Sequence, residues 1–138
     1  MTLTTTEQRY VETQTLGRLA TARADGSLQN SPVGFTYDEE SGTFDINGRN
    51  LGATQKFRNV EATGVVAFVI DDIVSRDPWV VRGVEVRGRA EVRRDQEPPN
   101  PYASRDVIRV HPHRIISWGV DPASPGMQSR AVEATDRG

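Results

Sequence analysis

The stretch LGRLATARADGSLQNSPVGFTYD, residues 16–38, decides the fold. Asp25-Gly26 is a two-residue turn signal with β-forming segments on both sides, Leu16–Arg23 and Leu28–Tyr37. A turn this short joins antiparallel neighbours, because parallel strands need a crossover of a dozen or more residues. The segment is therefore predicted as a hairpin. Pro32 interrupts its second arm and has no N–H to give a ladder, so it is predicted to mark an edge or a bulge.

The flanking segments extend the same pattern. Upstream, TTTEQRYVETQ (residues 4–14) reads as a helix, with Thr4 and Glu7 at capping-box spacing. Downstream, EESG is a turn and TFDING (43–48) a short third strand. Asn50 is predicted to cap a helix running to about Ala62, with Leu51, Phe57 and Val60 inward. GVVAFVIDD (64–72) is a near-continuous apolar run, predicted as a strand buried on both faces. PWVVRGVEVRGRAEVRRD (78–95) alternates. Val80, Val84, Val86, Ala90 and Val92 share one face, and Trp79, Glu85, Arg87, Arg89, Glu91 and Arg93 the other. The arginines and glutamates of that second face are read as pairing among themselves. Three prolines in four residues make QEPPNPYAS (96–104) a loop. DVIRVHPHRIISWGV (106–120) is a last strand, bent at Pro112, and the tail from Asp121 is read as polar and irregular. The expected fold is mainly β: a six-stranded antiparallel barrel with short flanking helices. The 138 residues are predicted to form a single domain, with its core at about 5–120 and a polar tail at 121–138.

Composition bounds the function. The net charge of −2 creates no basic field for nucleic acid or an anionic membrane. No apolar run approaches the roughly 18 residues of a membrane span, and no signal peptide is recognisable, so the expected location is cytoplasmic. There is no cysteine, hence no disulfide frame and no thiol chemistry. The apolar share of 36% is slightly low for a small chain, which hints at burial against a partner subunit.

One position stands out. Of 17 Lys and Arg residues a single one is lysine, Lys56, inside GATQKFRNVEATG (52–64). Thr54, Gln55, Lys56, Arg58 and Asn59 form a polar cluster near a predicted helix N-terminus, where backbone N–H groups and the helix dipole favour an anion. Lysine offers a phosphate a compact charge and arginine a bidentate fork. Residues two apart on a helix do not share a face. One of Lys56 and Arg58 is thus left for a ligand while the other pairs with an acid such as Glu61. The alternative is a solvated helix face. Asp71, Asp72 and Asp77 read as an acidic turn, and His111 and His113 as structural, so no metal site is expected. No catalytic triad or nucleophile elbow is present.

Taken in order, residues 16–38, TQKFRNVEATGVVAFVIDD, PWVVRGVEVRGRAEV and HPHRIISWG resemble the flavin and deazaflavin oxidoreductases of the pyridoxamine-phosphate-oxidase-like split barrel. The likeness is greatest to the branch predicted to use coenzyme F420. The resemblance implies a six-stranded split barrel that forms a homodimer, with cofactor sites in grooves between subunits. It implies that the K-x-R-N segment holds the cofactor phosphate, through Lys56 and with it Arg58 and Asn59. Ser31, Pro32, Val33 and Gly34 would pass their backbone along the ring. Asn47, Gly48 and Arg49 would flank the ring or its side chain. Trp79 and Trp118 resemble aromatic positions that reach the site from the other subunit. The implied activity is hydride transfer between F420 and a small electrophilic substrate. The alternatives are an FMN-binding pyridoxamine-phosphate-oxidase-like oxidoreductase and a non-catalytic F420 or flavin carrier. The resemblance names no catalytic residue.

Overall fold

The turn at Asp25-Gly26 forms as its residues dictate. Gly26 takes φ +89°, Asp25 accepts the Ser27 N–H at 2.9 Å, and Arg23 N–H closes on Ser27 O at 2.9 Å. In the computed structural model, which describes residues 2–133, this turn joins β1 (Leu16–Ala22) to β2 (Leu28–Asp38). Helix α1 (Thr5–Glu12) precedes them and starts in the predicted capping box, with Thr4 and Glu7 bonding reciprocally. β3 (Thr43–Asn47), a 3-10 turn (Leu51–Ala53) and α2 (Gln55–Ala62) follow. Then come β4 (Val65–Arg76), β5 (Trp79–Arg93), β6 (Val107–Trp118) and β7 (Met127–Ala131).

All neighbouring strands are antiparallel, in the order β3-β2-β1-β4-β5-β6-β7, and β3 also pairs with β6. That last pairing rolls the sheet into a barrel filled by Phe44, Phe68, Ile46, Ile70, Val84, Val86, Ile108 and Ile115. The closure is incomplete. β3 pairs with β2 only from Gly34 to Asp38, whereas Leu28–Val33 are paired on the β1 side alone. Pro32 lies in this one-sided half, as expected for a residue that cannot donate to a ladder.

The strand directions place the two helices at opposite ends. α1 lies where β4 ends and β5 begins, with the Tyr10 hydroxyl on Asp72 at 2.9 Å. α2 lies where β5 ends, with Glu61 on Arg94 at 2.6 Å and Arg94 over the Phe57 ring. Among the described residues, no helix is long and apolar enough to cross a membrane.

Several expectations need correction. The tail is not irregular throughout: Met127–Ala131 form the seventh strand, paired with β6 from Arg114 to Trp118. The apolar run 64–72 alternates rather than being buried on both faces: Val66, Phe68 and Ile70 face the core, and Val65 is 49% exposed. β4 also continues through Asp71 and Asp72, which are strand residues paired with Arg18 and Arg82 instead of an acidic turn. On β5, Val84 and Val86 are buried, but Val80 is 41% exposed because the strand runs past the barrel toward its hairpin tip. The bend near Pro112 takes the form of a register shift in which Arg87 faces Arg114 and Gly88 faces Pro112. Residues 134–138, the last part of the predicted tail, lie outside the described residues.

Candidate functional site

The polar cluster of residues 54–59 is assembled differently from its sequence reading. Asn50 makes no capping bond; Thr54 is the N-cap of α2. The reason is the 3-10 turn, after which Thr54 takes extended backbone (φ −90°, ψ 158°). Its hydroxyl accepts the Phe57 N–H at 3.3 Å and donates to Leu51 O at 2.7 Å. Gln55 donates to Asn59 at 2.7 Å and accepts from Arg58 at 3.0 Å. Arg58 also donates to Ala53 O at 3.1 Å, so it braces its own helix end instead of pairing with Glu61. Asn59 is 2% exposed and donates to Thr21 at 3.0 Å. It ties α2 to β1 from inside the barrel and presents nothing to a ligand.

Four of the five clustered side chains are thereby occupied. Lys56 is the exception. It is half-buried in the first turn of α2 and, among the described residues, its ammonium has no hydrogen bond or ion pair. An unpaired ammonium at a helix N-terminus opposes the dipole, costing on the order of 0.3–1 kcal/mol, unless an anion joins it.

The neighbouring strand has matching gaps. Thr21, which holds Asn59, lies opposite Gln29 on β2, and Leu19 lies opposite Ser31. Gln29 Oε1 and Ser31 Oγ are buried without a hydrogen-bond partner, and so is Ser104 Oγ in the loop before β6. Buried polar atoms are seldom left unpaired without cause. Leu28–Val33 is also the half of β2 with a free backbone edge. Ser31, Pro32 and Val33 lie on this one-sided half, whereas Gly34 is paired with both Leu16 and Asn47.

A cavity lies at the end of β3. Gly34 faces Asn47 across the β2–β3 ladder, and Gly34, Asn47, Gly48 and Arg49 line a cavity of about 250 Å³ with Asn100, Tyr102 and Ala103. The loop residues were not expected here. Sequence reading sees only the proline breaks, while the loop is pinned by the Ser104 N–H on Gly48 O at 2.8 Å.

Trp79 and Trp118 stand apart. Trp79 begins β5, and Arg94, just past the other end of that strand, meets Glu61 and the Phe57 ring of α2. Fourteen residues of extended chain separate the two ends, roughly 45 Å if straight. Trp79 is 63% exposed at the hairpin tip. Trp118 packs on Gly83, where a β-carbon would come within 2.5 Å of the indole. Neither is brought to Lys56 within one chain.

Asp45, Glu85, Glu91 and His111 are paired elsewhere. Arg109 grips Asp45 through two bonds at 2.8 and 3.0 Å, and His111 meets Glu91 at 2.6 Å. Glu85 and Glu91 pair along β5 with Arg87 and Arg93, as the alternation suggested. Among the described residues, no three His, Asp or Glu side chains converge as a metal cluster.

Comparison with known proteins agrees with this architecture. Residues 3–134 match the family model described as pyridoxamine 5'-phosphate oxidase. The chain is 43% identical over its whole length, and over 99% of the relative, to the 5a,11a-dehydrotetracycline/5a,11a-dehydrooxytetracycline reductase of Streptomyces rimosus. A putative pyridoxamine 5'-phosphate oxidase structure from Lactobacillus delbrueckii superposes with a TM-score of 0.64 at 24% identity, covering 82% of this chain and 92% of that one. A conserved hypothetical protein of Mycobacterium tuberculosis gives 0.67 at 19% identity, covering 96% and 94%. A split barrel and a match along nearly the full sequence lead to one conclusion: the chain belongs to the pyridoxamine 5'-phosphate oxidase family and is an oxidoreductase.

Proposed function

We propose that this protein reduces an activated carbon–carbon double bond of a small, flat polycyclic molecule, with the deazaflavin F420 as hydride donor. FMN is the alternative cofactor. The observation that carries the reading is the unpartnered Lys56 at the first turn of α2, beside a β2 edge whose Ser31 hydroxyl is buried and unbonded. A phosphate would satisfy the first, and a polar heteroaromatic ring edge the second and the free backbone edge of Ser31–Val33. These residues fit such a cofactor.

The substrate class follows from the relative. A 5a,11a-dehydro compound has a double bond where its parent has a single one, so its reductase adds two hydrogens across that bond. When bound, the cofactor supplies one of them as hydride. The protein's contribution is position and electrostatics. Lys56 holds the phosphate as a point charge, Arg58 and Gln55 stiffen the helix end behind it, and Asn47, Gly48 and Arg49 wall the far side of the cleft.

The reading includes a homodimer. Leu28 is 77% exposed, and Leu16, Val65 and Trp79 are also open. A second copy would cover such apolar surface and could bring its Trp79 or Trp118 to the Lys56 end, which one chain cannot do. Light scattering at micromolar concentration tests this: a species of only 15.3 kDa would sink it.

The function itself is tested on the purified protein. Its visible spectrum is recorded, F420 and FMN are titrated separately, and each reduced cofactor is offered a dehydrotetracycline-type electrophile. Binding of F420 and cofactor-dependent loss of the double bond are expected. Binding of FMN alone would move the reading to a flavin enzyme, and F420 binding without turnover of any electrophile would favour a carrier.

A further inference from the structure

The loop between β5 and β6 holds an aromatic ring where folding alone gives no reason for one. Tyr102 is 71% exposed, yet the turn that carries it is fixed. Asn100 Oδ1 accepts the N–H groups of Tyr102 and Ala103 at 2.8 and 3.0 Å. The loop ends are tied by Ser104 N–H to Gly48 O and by Gln96 N–H to Arg105 O at 2.9 Å. Pro98, Pro99 and Pro101 restrict the backbone further. A pinned loop presenting a largely exposed ring is pre-organised for contact, since little freedom remains to be lost on binding.

The ring borders the cavity of about 250 Å³ that Gly34, Asn47, Gly48 and Arg49 complete. Arg49 lies 6.0 Å from the Tyr102 centroid, at the outer limit of a cation–π contact. Among the described residues it has no carboxylate partner, so its charge remains available to an anion.

We propose that Tyr102 and Arg49 form the substrate subsite: the tyrosine ring stacks on one face of a planar polycyclic substrate, and the guanidinium meets an ionised enol or phenol oxygen on its rim. The proposal rests on the reductase reading above and gives that reading a specificity-determining residue. Stacking needs the ring and not its hydroxyl, so Tyr102→Phe should behave as wild type.

The probe is tetracycline, whose fluorescent phenol-enol chromophore is planar, titrated into the full chain with and without saturating F420. F420 itself is titrated in parallel. Tyr102→Ala should raise the tetracycline Kd by about 2- to 12-fold, with F420 affinity and melting temperature unchanged and Tyr102→Phe restoring binding. Unchanged tetracycline affinity in Tyr102→Ala, or a wild type that binds no tetracycline in either condition, would overturn the subsite. A loss of F420 affinity in Tyr102→Ala, with or without a loss for tetracycline, would assign the ring to the cofactor and overturn it equally. If the wild type binds neither F420 nor FMN but binds tetracycline through Tyr102, the cofactor reading fails and the subsite stands.

Discussion

The two helix-capped ends of the barrel are built on opposite principles. At the α1 end the buried polar groups are saturated. Glu7 is 3% exposed, and its carboxylate accepts from the Thr4 N–H at 2.9 Å, from Ser117 at 2.9 Å and from Arg130 through two bonds, one of them 3.0 Å long. Asp72 takes both Arg82 and Tyr10. At the α2 end, among the described residues, Lys56 has no partner, and Gln29, Ser31 and Ser104 each leave a buried oxygen unbonded. A protein gains stability by closing its polar groups on one another, and gains binding by leaving some open. On the proposed function, the α1 end is therefore the structural end and the α2 end the working one.

The sharpest way to break this contrast is to remove a partner at the closed end. Arg130→Ala strands the Glu7 carboxylate in a buried site and should cost about 3 kcal/mol, the low end for breaking a buried ion pair. Denaturant melts would measure it, and F420 affinity should not change. A loss of cofactor affinity at unchanged stability would erase the distinction between the ends.

At the open end the signs reverse. Lys56→Ala should leave stability within about 0.5 kcal/mol, as at an ordinary surface position. A hydrogen bond to a charged group contributes roughly 1.5–3 kcal/mol, so the cofactor Kd should rise on the order of 10- to 150-fold. Lys56→Arg should recover part of that affinity, and higher salt should shrink the difference. Fluorescence titrations of F420 and FMN would show whether Lys56 binds either.

Asn59 sharpens the boundary within the α2 end itself. It belongs to the same K-x-R-N segment as Lys56, yet it faces the barrel. Asn59→Ala unpairs Thr21 and Gln55 and should lower stability by about 1–2 kcal/mol. Binding should suffer far less than in Lys56→Ala. The reverse result in a melt and a titration would put Asn59 in the site.

The smallest effect concerns acid. Burial alone pushes the Glu7 carboxyl up, but the Arg130, Thr4 and Ser117 hydrogen bonds outweigh it and hold the group below its ordinary value of 4.5. A folded-state value below the unfolded one gives stability that is present above pH 4.5 and is lost as pH falls through the lowered folded value. Melts between pH 6 and 3 should therefore show an acid loss that is smaller in Glu7→Gln. An equal loss in both would mean that other carboxylates set the acid limit.

The hairpin at 16–38, the capping box and the Val84-Val86 face were legible in the sequence because each rests on neighbours a few residues apart, through turn chemistry, helix period or strand alternation. The resemblance also marked Lys56 and Ser31–Gly34, since their signal is residue type at local spacing. The same local view misjudged Asn50, because the 3-10 turn that moved the cap to Thr54 is set by packing of Leu51. It also read MQSRA as an irregular tail. That segment has no apolar pattern, and its strand depends on backbone pairing with β6 and on Arg130 reaching Glu7 over 123 residues of chain. Likewise the prolines of 98–101 say only that a loop exists; the place of Tyr102 beside Arg49 comes from the Ser104–Gly48 tie. By itself the sequence determined the first six strands and which residue types can meet a phosphate, as these are properties of short stretches. Only the tertiary structure decided which polar groups find partners and which are left open to a ligand, because pairing depends on where distant segments close around them.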